Sequence, residues 1–584
     1  MFIRVTTASC LLLAAAAALI PVFLMSSPAS AAWSADGAAV CTQGSEQNHP
    51  VIVPSLNGSV IVVWFDSRNA DVAIFAQRLD ANGNPMWAAN GVLVGEIFST
   101  STDRPKAISD GAGGAYVVWS TTGLEINFER LIAQRIDSNG TRLWGFGGGI
   151  VVCPANSHQN NPVMVSDLLP VNLPQVPGFI VAWEDNRSGD FEIYAQQVDR
   201  NGVRGWGDNG VRLSNSADAA LNPVICADGT NNATLRGGAM VAWIRNGATT
   251  DIHANRVDRT GAVIWGANGV AAGAAAGDQF SPAIAGPSGA STCFVSWSDG
   301  RNPNQTDIYA QRIVNGVVSW TANGLPVCSA AGDQSDPVMV TATVGAIVVW
   351  EDGRDPSDGD LFGQRIDNNG APQWAANGLP VCDVAGNQFR ARAVSDQQGG
   401  AFVTWVDQRG SDFDIFAQRM TTNGGRIFPV AGSPVCQAID DQDEPELLFD
   451  GSFVIVAWED LRPAGNNIDI YANQVPPGGV VLGMTVPEPT PASDLRVRLL
   501  SSNPWSAEAR LAVDLSKRTR VDANVYGPQG RWLRSLAETE LAAGTHVLRW
   551  DGRNAAGVLE PAGVYFLRVQ AGDRSNVVKL VRAR

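Results

Sequence analysis

The chain has 584 residues, 57 acidic against 41 basic side chains, a formal net charge of −16 and an apolar fraction of 45%. That apolar content excludes a disordered chain, and 61 Gly fall far short of the roughly one-third that collagen needs. The acidic balance argues against nucleic acid as a partner, because phosphate binding needs a dense basic face.

Residues 1–32 read as an export signal: Arg4 gives a short positive start, Leu11 to Met25 is apolar, and Ala29-Ser30-Ala31 is a small-residue cleavage site. A membrane anchor is the alternative, but the run is short and interrupted by Pro21 and Pro28. No later stretch reaches the roughly 18–20 apolar residues that span a bilayer. The mature protein is therefore expected to be secreted or on the outer cell surface, without a transmembrane helix after signal removal. Cys10 leaves with the signal, and Cys41, Cys153, Cys226, Cys293, Cys328, Cys382 and Cys436 remain. Seven is odd, five of them fall at one repeated position, and no spacing suits zinc. They are expected to be buried, reduced and selected for small size.

From residue 33 to 476 one unit recurs eight times. Apolar strands end in Trp64, Trp119, Trp183, Trp243, Trp297, Trp350, Trp405 and Trp458, a mean spacing of about 56 residues. A second series runs Trp33, Trp87, Trp144, Trp206, Trp265, Trp320, Trp374 and Phe428. Each unit reads as four short strands, here A to D, with strand B unbroken in its apolarity, as in Val60-Ile61-Val62-Val63-Trp64. Such a run implies burial on both faces. Asn-Gly turns such as Asn139-Gly140 supply positive φ for tight hairpins. The expectation is an all-β chain with an eight-bladed β-propeller; a parallel β-helix is the rival. Ala38 to Cys41 resembles a strand D displaced to the front, so it is expected to complete the last blade beside Ile470 to Val475.

A Trp-x-Asp-x-Arg element recurs as Trp64, Asp66, Arg68; Trp183, Asp185, Arg187; Trp297, Asp299, Arg301; Trp350, Asp352, Arg354; Trp405, Asp407, Arg409; and Trp458, Asp460, Arg462. Repetition marks it as structural: the Asp is expected to cap the B–C hairpin while the Arg bridges to an acid opening strand C or to the next blade. A calcium site would need several converging oxygens, for which Asp355, Asp358 and Asp360 come nearest. No other cofactor is expected. The Gln of strand C (Gln77, Gln134, Gln196, Gln311, Gln364, Gln418) and the Gln ahead of strand A are expected to ladder between blades or to line the channel. The segments Asp185-Asn186-Arg187 with Glu192-Ile193-Tyr194, and Asp307-Ile308-Tyr309, resemble TolB-like propeller repeats. The hairpins are also loosely similar to Asp-box propellers, although the Ser-x-Asp-x-Gly-x-Thr-Trp sequence is absent. No catalytic residue stands out.

Residues 477–494 form a Pro/Gly linker, and from 485 to 584 there are 15 basic and 10 acidic residues, a net of +5 against −21 for the rest. Strands at Leu511 to Leu515, Val521 to Tyr526, His546 to Trp550 and Gly563 to Val569 predict a small β-sandwich over 495–584. The run Asn524-Val525-Tyr526-Gly527-Pro528-Gln529-Gly530-Arg531, with Trp550-Asp551-Gly552-Arg553-Asn554 and Ala562-Gly563-Val564-Tyr565-Phe566, resembles FlgD-type immunoglobulin-like domains. It is similar, too, to type IX secretion C-terminal sorting domains. The resemblance implies export or attachment, with secretion machinery or the cell envelope as partner. The whole reads as a non-catalytic propeller binding a glycan or extracellular protein through Thr121 to Asn127, Asp167 to Pro177 and Ala227 to Gly238. The alternatives are a glycoside hydrolase or lyase with channel acids, and a structural envelope protein.

Overall fold

The computed structural model describes residues 33–584 except 70, 98–103, 123–127, 146–147, 168–176, 230–236, 288–290, 463–466, 479–495, 500–504, 506–507, 516–517, 529–530, 543, 573 and 584. The export segment 1–32 and nearly all of the linker lie outside the described residues. Among the described residues there is no α-helix, and only Leu56–Gly58 makes a 3-10 turn.

Eight antiparallel sheets follow one another between Ala38 and Val475. Sheet 6 shows the plan: Gln334–Thr341 (A) pairs with Ala346–Asp352 (B), then Asp360–Ile366 (C), then Leu379–Cys382 (D). Strand B is covered on both faces, as its composition requires: Val60 to Trp64 are at most 1% exposed. The second aromatic series joins neighbouring sheets. Trp87 Nε1 donates to Ser138 O (3.1 Å) in the C–D turn of the next sheet, as Trp206 does to Arg259 O (3.1 Å) and Trp374 to Thr422 O (3.0 Å). Gly140 in that turn has φ +80°, and a Cβ there would lie 2.9 Å from the Trp87 ring. The Asn-Gly sequence thus serves both the turn and the close approach of a neighbour.

Strand A of each sheet touches strand A of the next, and strand A of sheet 8 returns to that of sheet 1, so the sheets form a closed, propeller-like circuit. The start of the chain completes it. Ala38–Cys41 pairs with Asp469–Val475 in sheet 8, with Ala38 opposite Ala472 and Ala39 opposite Tyr471, as the displaced strand D predicts. An edge that would otherwise stay unpaired is covered.

The Trp-x-Asp-x-Arg residues share one face of strand B and its exit. Trp405 Nε1 donates to Asp407 Oδ2 (2.8 Å), and Arg409 donates to Asp407 through N (3.0 Å), Nε (2.7 Å) and NH2 (2.5 Å). The Arg409 guanidinium lies 3.9 Å from the Phe416 ring centroid, and its NH2 reaches Cys382 Sγ (3.6 Å) at the end of the preceding sheet. The same clamp joins Arg68 to Cys41 (3.2 Å), Arg187 to Cys153 (2.9 Å), Arg354 to Cys328 (3.6 Å) and Arg462 to Cys436 (3.3 Å). Arg301 pairs with Asp299 (2.7 Å) where the preceding sheet has Gly273. This corrects the expected bridge: the Arg returns to its own Asp and crosses to the sheet before, and does not pair with the strand C acid. The seven cysteines are free, all buried but the half-buried Cys226, as expected. The repeated site is small because Gly95, which replaces Cys in sheet 1, would place a Cβ 2.4 Å from Trp119. In sheet 2, which lacks the Asp and Arg, Trp119 Nε1 has no partner.

The strand C glutamines also differ from expectation. Gln364 Oε1 accepts from Trp374 N (2.9 Å) and its Nε2 donates to Ala375 O (2.7 Å), holding the C–D connection within one sheet. Of the glutamines ahead of strand A, Gln159 does reach across, accepting from Leu131 N (3.1 Å) of the preceding sheet.

The C-terminal residues form two sheets over one core. Arg496–Leu499, Ala509–Leu515 and Gly544–Trp550 make one; Trp532–Leu541, Thr519–Tyr526, Gly563–Ala571 and Arg574–Arg582 make the other. Leu511, Val513, Trp550, Val525 and Leu567 share the buried cluster between them. Three of these strands, including Trp532–Leu541, are absent from the sequence expectation because charged and apolar residues are mixed along them.

Breaking a buried ion pair from one side leaves a desolvated charge, costing about 3–5 kcal/mol, whereas an exposed pair is worth at most about 1 kcal/mol. Asp407→Ala is therefore expected to destabilise the chain in denaturant unfolding far more than Glu540→Ala, which removes the exposed Arg518–Glu540 pair. Equal losses would show that the clamp does not hold the sheets.

Candidate functional site

At the end of the circuit where strand A begins, seven sheets break register at the same place, as between Asn48 and Val51, Asn160 and Val163, and Asp443 and Glu446. The residue pushed out is left-handed in every case: His49, Asn161, Asn222, Ser281, Asp336, Arg390 and Glu444 have φ between 49° and 55°. All but Arg390 precede a proline, and Arg104-Pro105 occupies the corresponding place in sheet 2. Left-handed backbone is uncommon for such residues and needs external support. In four sheets the support comes from strand B of the preceding sheet, and in sheet 8 the Glu444 N–H is held by Asp443 beside it (2.7 Å). Glu459 accepts from His49 N (2.8 Å), Glu184 from Asn222 N (2.7 Å), Glu351 from Arg390 N (2.8 Å), and Ser298 Oγ from Asp336 N (3.2 Å).

These seven residues and Arg104 form a collar in which the seven share one backbone conformation while the side chains differ. Arg104 of sheet 2 reaches across sheet 1 to Glu444 of sheet 8 (2.5 Å). Arg390 contacts Asp443 and, at 3.5 Å, Glu444, while Arg392 pairs with Glu446 (3.0 Å). The other side has no arginine among its collar residues: Asn161 Nδ2 donates to the Glu184 carboxyl (2.8 Å), and Ser281 Oγ donates to the Asp336 carboxyl (2.9 Å). Burial pushes Glu444 up, but Arg390, Arg104 and Arg392 together overrule it and hold the carboxyl at about 2. Burial, helped by the negative charge of Glu444, raises Glu459 to about 8. Burial and then Asp336 raise Glu351 to about 7. Burial and the Arg104 charge lower His49 to about 4. The collar thus offers ion-paired arginines on one side and amide, hydroxyl and carboxyl groups on the other, a surface suited to a polar ligand with several hydrogen-bonding groups.

At the opposite end, Ile52, Pro54, Ile108, Ser109, Ser166 and Pro177 line a cavity of about 420 Å³. The three loops expected to bind do not share a mouth. Thr121 to Asn127 joins strands B and C at the collar end, while Asp167 to Pro177 and Ala227 to Gly238 join A and B at the far end. Residues 123–127, 168–176 and 230–236 lie outside the described residues.

The calcium candidates do not converge. Asp355 closes a turn on Ser357 N (2.9 Å) and Oγ (2.6 Å), and Asp358 accepts from Gly386 N (3.0 Å). Asp360 is raised to about 7 by burial and then by Asp358. Among the described residues no three His, Cys, Asp or Glu side chains are placed to hold a metal. Asp414 and Asp469 occupy the same strand C position and are raised by burial to about 8 and about 6, next to Asp407 and Asp460.

The collar is missing from the sequence reading. Its signal is the residue before the repeated proline, which changes charge from unit to unit while its neighbours stay alike.

No family model and no curated protein matches the chain. Among solved structures it is similar to Sqt1 from Chaetomium thermophilum (13% identity, TM-score 0.41, covering 75% of this chain and 99% of that one). It is also similar to PorZ, a surface component of the type IX secretion system of Porphyromonas gingivalis (12%, 0.24, 93% and 82%), and to the six-bladed Aleuria aurantia lectin (13%, 0.31, 59% and 99%). All three TM-scores lie below 0.5, and the architecture rests on the strand pairing above. No helix among the described residues is long and apolar enough to cross a membrane.

Between pH 6.5 and 8.5 the raised carboxyls Glu351, Asp360, Asp414 and Glu459 set the slope. Each holds its proton in the folded state and loses it in the unfolded chain, so stability falls as pH rises toward and through about 7–8. His49 and Glu444 act oppositely but only at lower pH: their stabilisation is lost as pH falls from the ordinary values of 6.5 and 4.5 toward about 4 and about 2. Thermal melts should give a higher Tm at pH 6.5 than at 8.5, and Glu459→Gln should raise Tm at pH 8.5 and flatten the slope. A Tm that rises with pH over this interval would contradict the assignment.

Proposed function

We propose that residues 33–476 are an eight-bladed β-propeller, secreted or held at the outer cell surface, that binds a glycan or an extracellular protein at the collar. In this reading residues 1–32 direct export, and residues 495–584 are an immunoglobulin-like module of the FlgD or type IX sorting kind that meets the secretion machinery or the envelope. What carries the reading is the collar's departure from the repeat. Positions that hold the sheets together are the same in most units, whereas His49, Arg104, Asn161, Asn222, Ser281, Asp336, Arg390 and Glu444 differ in charge, all but Arg104 on one left-handed backbone frame. Packing requires no such variety, and eight converging segments make a concave, adaptable platform.

A second reading, a glycoside hydrolase or lyase, is favoured by one observation: Glu444 and Glu459 have been driven to about 2 and about 8. Divergent carboxyl pairs are how acid and base roles are divided. Against it, Glu459 is 7% exposed and already accepts the His49 N–H.

Glycan and extracellular-protein arrays probed with the secreted chain test the binding reading. Asn222→Asp is expected to weaken the ligand found by about tenfold, roughly 1.4 kcal/mol, with Tm unchanged, whereas Arg104→Ala should weaken it similarly and also lower Tm, because it strips Glu444 of an ion-pair partner. Loss of binding on replacing residues 168–176 or 230–236 instead would move the site to the other mouth. Turnover of a polysaccharide panel that Glu444→Gln abolishes would establish the enzyme. No ligand and no turnover would leave a structural envelope protein.

A further inference from the structure

We propose that the C-terminal sandwich docks on the collar end of the circuit, laying the outer face of its three-stranded sheet against the acidic rim of sheet 6. Arg510 NH1 lies 3.9 Å from Glu351 Oε2, and Arg549 NH1 lies 3.6 Å from Asp333 Oδ2. The two arginines are register partners on adjacent strands, so they project from one face. That face is the one turned away from Leu511, Val513, Leu548 and Trp550, which build the sandwich core. Ala512, two residues along from Arg510 on the same outer face, has no exposed surface.

Both acids belong to the collar end. Asp333 immediately precedes strand A of sheet 6, and Glu351 is the residue that holds the Arg390 N–H of the collar. Burial and Asp336 raise Glu351, and the positive charge of Arg510 acts against them. Net charge is complementary: +5 from residue 485 onward against −21 for the remainder.

Chain length fits this placement. Strand C of sheet 8 runs away from the collar, because Asp469 pairs with Asp460 near it and Val475 pairs with Val454 at the far end. The ring is therefore left at the wrong mouth for docking. A strand of this length spans about 23 Å. Residues 476–495 reach up to about 65 Å when extended, enough to return past the ring's side. That docking controls access to the collar rests on the binding reading above; the docking itself does not.

Carboxyl footprinting of the full chain tests it without any ligand: carbodiimide and glycine ethyl ester label accessible Asp and Glu, and mass spectrometry reads each site. At ~0.05 M NaCl, labelling of Asp333 and Glu351 should rise about threefold in Arg510→Glu/Arg549→Glu, and wild type should approach the variant at ~0.5 M NaCl. Asp208, 81% exposed on its side chain, should label equally throughout. Asp333→Arg combined with Arg549→Glu should return Glu351 toward wild-type protection, which a merely unfolded sandwich would not do. Equal labelling of Asp333 and Glu351 in wild type and variant at both salt levels overturns the docking. A failure to find any collar ligand would leave it standing.

Discussion

In six of the eight sheets a buried indole N–H, the aspartate two residues on and the arginine two further exchange hydrogen bonds, and in five of these the arginine's remaining N–H crosses to a cysteine sulfur in the sheet before. The rest of the ring follows from this clamp. It satisfies the largest buried side chain of strand B, and it ties each sheet to its predecessor through a charge that is itself neutralised. The arginine also lies flat on a strand C aromatic, at 3.6–3.9 Å from the ring centroid in every such sheet. The clamp has a price elsewhere. With the arginine committed to one aspartate, the next acid along, at Asp360, Asp414 or Asp469, is buried beside negative charge, which is why these carboxyls keep their protons to unusually high pH.

How much of this was legible in the sequence depended on whether a residue's role was repeated. The tryptophan series, the apolar strand B and the Asn-Gly turns recur, so period and strand order could be read directly, down to the pairing of Ala38–Cys41 with strand C of sheet 8. The clamp's members were legible, but their partners were not. A repeat shows that Arg354 and Asp352 matter without showing that the guanidinium folds back to the aspartate two residues before it while also reaching Cys328. Likewise Gln364 was visible as a recurring amide, but whether it served its own sheet or the next was a matter of direction that spacing does not encode.

The collar was hidden for the opposite reason. Seven of its members share a backbone conformation while their side chains differ from unit to unit, so a search for like side chains passes over them. Length variation drew attention to loops at two different mouths, whereas the charged cluster of Arg104, Arg390 and Glu444 comes from three sheets brought together only by closure. In the sandwich, strands such as Trp532–Leu541 carry Arg534, Glu538 and Glu540 on a solvent-facing side, which blurred the alternation that marked their neighbours.

Closure by the first strand fixes an order of events. Asn473 reaches back to Ala35 across 438 positions, and the last sheet takes its outer strand from the opposite end of the sequence. A ribosome or a translocation pore delivering the polypeptide from its amino end therefore releases seven sheets' worth of chain before the final seam has anything to zip onto. Contacts so distant in sequence are slow to find. The ring stays an open arc throughout delivery and locks only when its tail emerges, so the seam is the last part to become native and the natural place for a partly made molecule to remain pliable.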